Sequence, residues 1–114
     1  MTSYCFYVYI TTNPQKSVLY TGRTNHLEYR LIEHYLNRGK PDTFAGKYYC
    51  YNLLYFEDYQ YVEDAILIEK EIKGWKRIKK LALIKDFNPS LKFLNAQVMD
   101  WPPVDPHPRT DFYL

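Results

Sequence analysis

Tyr7-Val8-Tyr9 and Tyr20-Thr21-Gly22, with Thr11-Thr12-Asn13-Pro14-Gln15-Lys16 between them, decide how this chain folds. Residues 4–10 are aromatic and β-branched without a polar face, which is the composition of a well-covered strand. Asn13-Pro14 breaks that strand, and residues 17–21 return as a second one. A hairpin of this kind brings Tyr9 and Tyr20 onto neighbouring strands. Gly22 is expected to let the chain turn sharply out of the hairpin.

A helix is expected next, capped by Asn25 with Glu28 three residues on, running to about Arg38 and stopping at Gly39. Residues 40–50 read as a loop and residues 51–57 as a third strand. Ala65, Ile68, Ile72 and Trp75 form the apolar stripe of a second helix over about 61–76, with Gly74 marking close packing or an early end. A shorter helix through Leu81, Leu83 and Ile84 should end before Asn88-Pro89. The fold class is therefore α+β: a small three-stranded antiparallel sheet flanked by helices, in the order β-β-α-β-α-α. Pro102, Pro103, Pro106 and Pro108 exclude regular structure nearby, so residues 1–94 are read as the domain and 95–114 as an extended tail. Trp101, Phe112 and Tyr113 could anchor that tail.

A chain of 114 residues with 46% hydrophobic content supports one core and is too short for two ordinary domains. Most of its 13 tyrosines are expected to fill half-buried positions, leaving two or three for chemistry. Cys5 and Cys50 are too few and too far apart for a zinc site or a disulfide framework. No apolar run approaches the ~20 residues that cross a bilayer, and no signal peptide is evident. A soluble, cytoplasmic protein without a membrane partner is the expectation. The net charge of +2 says little, but seven of the 15 Lys and Arg residues fall between Lys70 and Lys85. That cluster is either a solvated helix face or a set of phosphate contacts.

Three residues stand out from their helices. Arg30 and His34 lie about 40° apart on a helical wheel, flanking Leu27 and close to Leu31, so both share the core-facing edge. Either they fill structural roles, or they work with the two strand tyrosines. Glu69 falls inside the apolar arc of its helix, where a carboxylate needs a cation or hydrogen bonds. It either pairs with Lys73 one turn later or ligates a hard divalent metal.

These residues, in this order, resemble the GIY-YIG nuclease family over residues 4–94. Tyr7-Val8-Tyr9 stands for the GIY element and Tyr20-Thr21-Gly22 for YIG. Arg30 follows Gly22 by eight residues, where the family has its phosphate-clamping arginine, and His34 occupies a position often His or Tyr. Residues 69–77 look like the glutamate helix of a small stand-alone branch related to the N-terminal nuclease domain of UvrC-like excinucleases. That branch also tends to end near an Asn-Pro pair, here Asn88-Pro89. Tyr7 replaces the first Gly of GIY and Thr21 the central Ile of YIG, and neither change removes a reacting side chain.

The resemblance implies a divalent-metal-dependent endonuclease, acting on DNA before RNA. Tyr9, Tyr20, Arg30, His34 and Glu69 would be its catalytic residues, with Glu69 the sole protein ligand of one Mg²⁺ or Mn²⁺. Tyr20 is the preferred base or water-positioning group. Arg23, Lys73, Lys76, Arg77 and Lys80 would contact nucleic acid, with Gly22 and Asn88 in auxiliary roles. The competing reading is a nucleic-acid-binding module of the same fold with little or no cleavage activity, which has no need for Glu69 on a buried edge.

Overall fold

β1 (Phe6–Thr12) and β2 (Leu19–Thr24) form the hairpin in a computed structural model that describes residues 5–104. Tyr9 lies opposite Gly22, and Thr11 opposite Tyr20. β3 (Asn52–Tyr59) pairs antiparallel with the other side of β1, giving the order β2-β1-β3. β1 is thus the central strand, which explains its lack of a polar face.

Side chains alternate across β1 and build two cores. Val8 and Ile10 meet α3 (Val62–Lys73) and α4 (Arg77–Phe87) through Ala65, Ile72 and Ile84. Tyr9 points the other way and packs with Leu27 and Leu31 of α1 (Leu27–Leu36), together with Leu53 and Leu94. The expected class and element order are found. Two one-turn helices are added: α2 (Phe44–Lys47) and α5 (Asn95–Val98).

Several local expectations need correction. Gly22 does not turn the chain; it lies within β2, which continues to Thr24. The helix cap is His26 rather than Asn25: Tyr29 N donates to His26 Nδ1 at 3.1 Å, and Thr24 Oγ1 accepts from His26 N at 3.0 Å. The threonine hydroxyl holds the turn one residue longer than the Asn25-Glu28 pattern suggests. α1 ends at Leu36 with Asn37 as C-cap, and Gly39 supplies a left-handed φ of 83° in the following loop. That loop contains α2, capped by Thr43 Oγ1, which accepts from Gly46 N. Four residues are too short a window for periodicity to reveal. Gly74 proves to be the C-cap of α3, so this helix takes the early end.

Packing does not stop at residue 94. Asn95 is 1% exposed, accepts from Leu53 N at 2.7 Å and donates to Tyr51 O at 2.9 Å. Asn88 donates to Leu54 O at 3.0 Å, where a bulge shifts the β1–β3 register. These two amides occupy backbone groups of an edge strand that would otherwise be open to another chain. Met99 and Trp101 pack on the Tyr9 core, and Trp101 meets Tyr35 edge-on. Pro106, Pro108, Phe112 and Tyr113 lie outside the described residues. Asn95→Ala strands the Leu53 N–H and the Tyr51 carbonyl, and we expect urea unfolding to show a loss of about 1–3 kcal/mol. A loss below measurement error would mean that water replaces the amide without cost.

Candidate active site

Gly22 matters because of Tyr9. The Tyr9 ring crosses over the Gly22 Cα, and a Cβ there would lie 2.9 Å from Tyr9 Cε1 and closer still to Cζ and the hydroxyl. A glycine on the edge strand therefore lets a side chain of the central strand extend toward the outer edge of β2. Tyr9 is 0% exposed, and its hydroxyl shares a 2.8 Å hydrogen bond with His34 Nε2. Burial pushes this hydroxyl far above the ordinary phenol range; Tyr20 and, more weakly, Glu69 add to the rise, against the opposing Arg30 guanidinium. Tyr9 is protonated at neutral pH.

Leu27, Leu31 and His34 form the buried stripe of α1, as the helical wheel requires. Tyr20 meets His34 edge-on with ring centroids 5.3 Å apart and Tyr9 at 6.3 Å, so the three rings form one cluster. Tyr20 keeps partial solvent access, unlike Tyr9. Burial first, and Arg30 second, hold His34 down to about 4, so its ring is neutral at pH 7.

That depression has a sign that can be measured. Between about 4 and the ordinary histidine value of about 6.5, the unfolded chain binds a proton that the folded chain does not. The contribution of His34 is complete above this window and is lost as pH falls through it. The stability difference between wild type and His34→Gln is expected to shrink by up to about 3 kcal/mol from pH 7 to pH 4. A difference that stays constant with pH would show that His34 titrates normally.

Arg30 lies beside Tyr9 and pairs through Nη1 with Glu33 at 3.2 Å. Its Nε has no hydrogen-bond partner among the described residues. The Glu33 contact was not anticipated, although its i,i+3 spacing from Arg30 is a recognisable signal. Arg23 and Arg30 both line a hollow of about 410 Å³ between the end of β2 and the start of α1.

Glu69 approaches from the other face. α3 covers the Val8 side of the sheet, and Glu69 reaches the β2 edge by bonding Arg23 Nε at 3.1 Å. It also takes the Lys73 ion pair, at 3.0 Å, with its side chain 15% exposed. The five residues do not share one face of the sheet. Tyr9, Tyr20, His34 and Arg30 come from the α1 side, and Glu69 comes from the α3 side, joined through Arg23. Arg23 and Lys73, read as nucleic-acid contacts, are both engaged by Glu69. Arg77 and Lys80 line a groove of about 240 Å³ with Ser17, Val18 and Leu19, leading into β2. Lys76 caps α4 next to them. Asn88 sits on the opposite edge of the sheet, at β3, in a structural position.

The family model described as the GIY-YIG catalytic domain matches residues 5–82. The chain belongs to the GIY-YIG family, a family of nucleases. Neither the curated proteins nor the solved structures gave a match. No helix among the described residues is long and apolar enough to cross a membrane.

Proposed function

We infer that this protein is a divalent-metal-dependent endonuclease that hydrolyses phosphodiester bonds in DNA. One observation carries the reading: Tyr9, Tyr20, His34 and Arg30 gather at the edge of β2 that Glu69 reaches from the opposite face. A binding module needs basic residues. It does not need a carboxylate held 15% exposed at the same edge.

The donor set can be tested against a metal. Among the described residues no three His, Cys, Asp or Glu side chains gather as a ligand cluster, so Glu69, whose two oxygens pair with Arg23 and Lys73, would be the metal's single protein ligand. That suits Mg²⁺ or Mn²⁺, which keep most of their waters and complete their shell with substrate phosphate. Held by Glu69, such a cation would supply charge stabilisation to the leaving oxygen.

The chain's own residues account for the remaining requirements. Arg30, its side chain 40% exposed, keeps guanidinium N–H groups beyond the Nη1 bond to Glu33 and would hold the non-bridging oxygens of the scissile phosphate. Tyr20, which unlike Tyr9 has solvent access, would orient the attacking water or, once its own proton has passed to solvent, accept the water's proton. Tyr9 is sealed from solvent and protonated, so its role is to fix His34. Neutral His34 then holds the Tyr20 ring by its edge contact. Lys76, Arg77 and Lys80 would add contacts to the substrate backbone that do not depend on sequence.

The test is incubation of labelled DNA duplexes, flaps and single strands with and without Mg²⁺ or Mn²⁺. Metal-dependent scission that Arg30→Ala abolishes is expected. Tight binding without scission under every condition would favour the binding module.

A further inference from the structure

The loop between α1 and β3 carries an aromatic surface that the proposed chemistry does not use. Phe44 of α2 stacks on Tyr20 with ring centroids 6.2 Å apart and planes 25° from parallel. Tyr48, the residue that ends α2, lies against Phe44 at 4.7 Å. Phe44 is 50% exposed and Tyr48 39%, so both offer much of their rings to solvent. A ladder of three rings thus runs outward from the tyrosine placed at the reacting phosphate.

The ladder is held rigidly. Ala45 is buried, and Cys50 N donates to Ala45 O at 2.8 Å. Gly46 packs so tightly that a Cβ would lie 2.7 Å from the carbonyl oxygens of both Asn37 and Lys40. Gly39 N donates to Gly46 O at 2.8 Å, tying α2 back to the end of α1. A fixed aromatic face loses little conformational freedom when a flat ligand stacks on it. Lys47 stands 5.4 Å from the Tyr48 ring centroid, which puts a cation beside these exposed rings.

We propose that Phe44 and Tyr48 form a stacking platform for an unpaired base next to the scissile phosphate, so that the substrate is DNA with a single-stranded segment at the cut. This rests on the nuclease reading, which fixes Tyr20 at the phosphate. A paired base has its faces covered by its neighbours, whereas an unstacked base can lie on an aromatic ring. The ladder continues directly from Tyr20, and Lys47 can meet the phosphate of the same nucleotide. Both favour a nucleotide over an apolar protein segment.

The experiment uses the full chain in EDTA, so that binding is read without cleavage. Single strands, flapped duplexes and blunt duplexes carry 2-aminopurine at successive positions, and affinity is followed by anisotropy. Wild type is expected to bind the single-stranded and flapped DNA more tightly and to quench 2-aminopurine at one or two positions. Phe44→Ala and Tyr48→Ala should weaken that binding roughly 5- to 100-fold, restore the fluorescence and leave blunt-duplex affinity unchanged. Phe44→Leu, which keeps apolar contact with Tyr20 but lacks a flat ring, should behave like Phe44→Ala, while Phe44→Trp should retain binding.

Equal weakening for all DNA forms, no weakening, or no single-strand binding by wild type would overturn the proposal. So would a wild-type dimer in sedimentation that Phe44→Ala dissociates, since the occupant would then be a second copy of the chain. If only the platform is wrong, metal-dependent cleavage persists equally in wild type and Phe44→Ala. If only the nuclease reading is wrong, no cleavage occurs with metal, but the base-specific quenching remains.

Discussion

Glu69→Gln is expected to lower metal-dependent DNA cleavage roughly 10³-fold, because a cation at the leaving oxygen is worth several kcal/mol of transition-state stabilisation. Glutamine preserves the length of the side chain, and its carbonyl can still accept from Arg23 Nε, now 3.1 Å from Glu69 Oε1. It cannot replace the charge that a divalent ion requires. Stability should change little. Arg23 and Lys73 have side chains 38% and 52% exposed, so solvent screens both ion pairs and together they contribute about 1 kcal/mol or less. DNA binding should tighten slightly and become more salt-dependent, since Arg23 and Lys73 are no longer neutralised by the carboxylate. The measurements are single-turnover cleavage, affinity against salt concentration, and thermal unfolding. A folded variant with full cleavage would remove Glu69 from the mechanism and the metal assignment with it.

Gly22→Ala should be the most damaging small substitution in the sheet. In most strands this change is mildly favourable, by roughly 0.5–1 kcal/mol. Here the added carbon would sit 2.9 Å or less from atoms of the Tyr9 ring, which is fully buried and bonded to His34. The ring must shift, and overpacking of this kind costs about 1–3 kcal/mol. A fall in Tm of several degrees is expected for a domain of about 100 residues, with cleavage reduced because His34 and Tyr20 lose their fixed neighbour. A double-mutant cycle with Tyr9→Leu isolates the cause. Removing the ring makes room for the alanine, so Gly22→Ala should cost little in that background. Equal costs in both backgrounds would show that the penalty arises elsewhere.

The element order was legible because the strands carry aromatic and β-branched residues and the longer helices carry regular apolar stripes. Asn13-Pro14, Gly74 and Asn88-Pro89 mark the breaks between them. The helical wheel alone placed Arg30 and His34 on the core-facing edge, and His34 is buried there at 9% exposure. Short elements escaped detection. α2 and α5 are single turns, and no pattern distinguishes four helical residues from a loop. Asn95 looked like the first residue of a tail because its partners, Leu53 and Tyr51, lie more than 40 positions earlier in the chain.

By itself, the order of residues determined the α+β class, the hairpin that joins Tyr9 to Tyr20, and membership in a nuclease family. All three depend on local spacing and strand period. Tertiary structure decided which faces these residues share. It put Glu69 on the opposite side of the sheet from Tyr20, brought it to the β2 edge through Arg23, and made Gly22 a space for a ring instead of a turn. It also set Phe44 against Tyr20. Such contacts depend on where distant backbone segments cross and how closely they pack, and neither is encoded in the spacing of neighbouring residues.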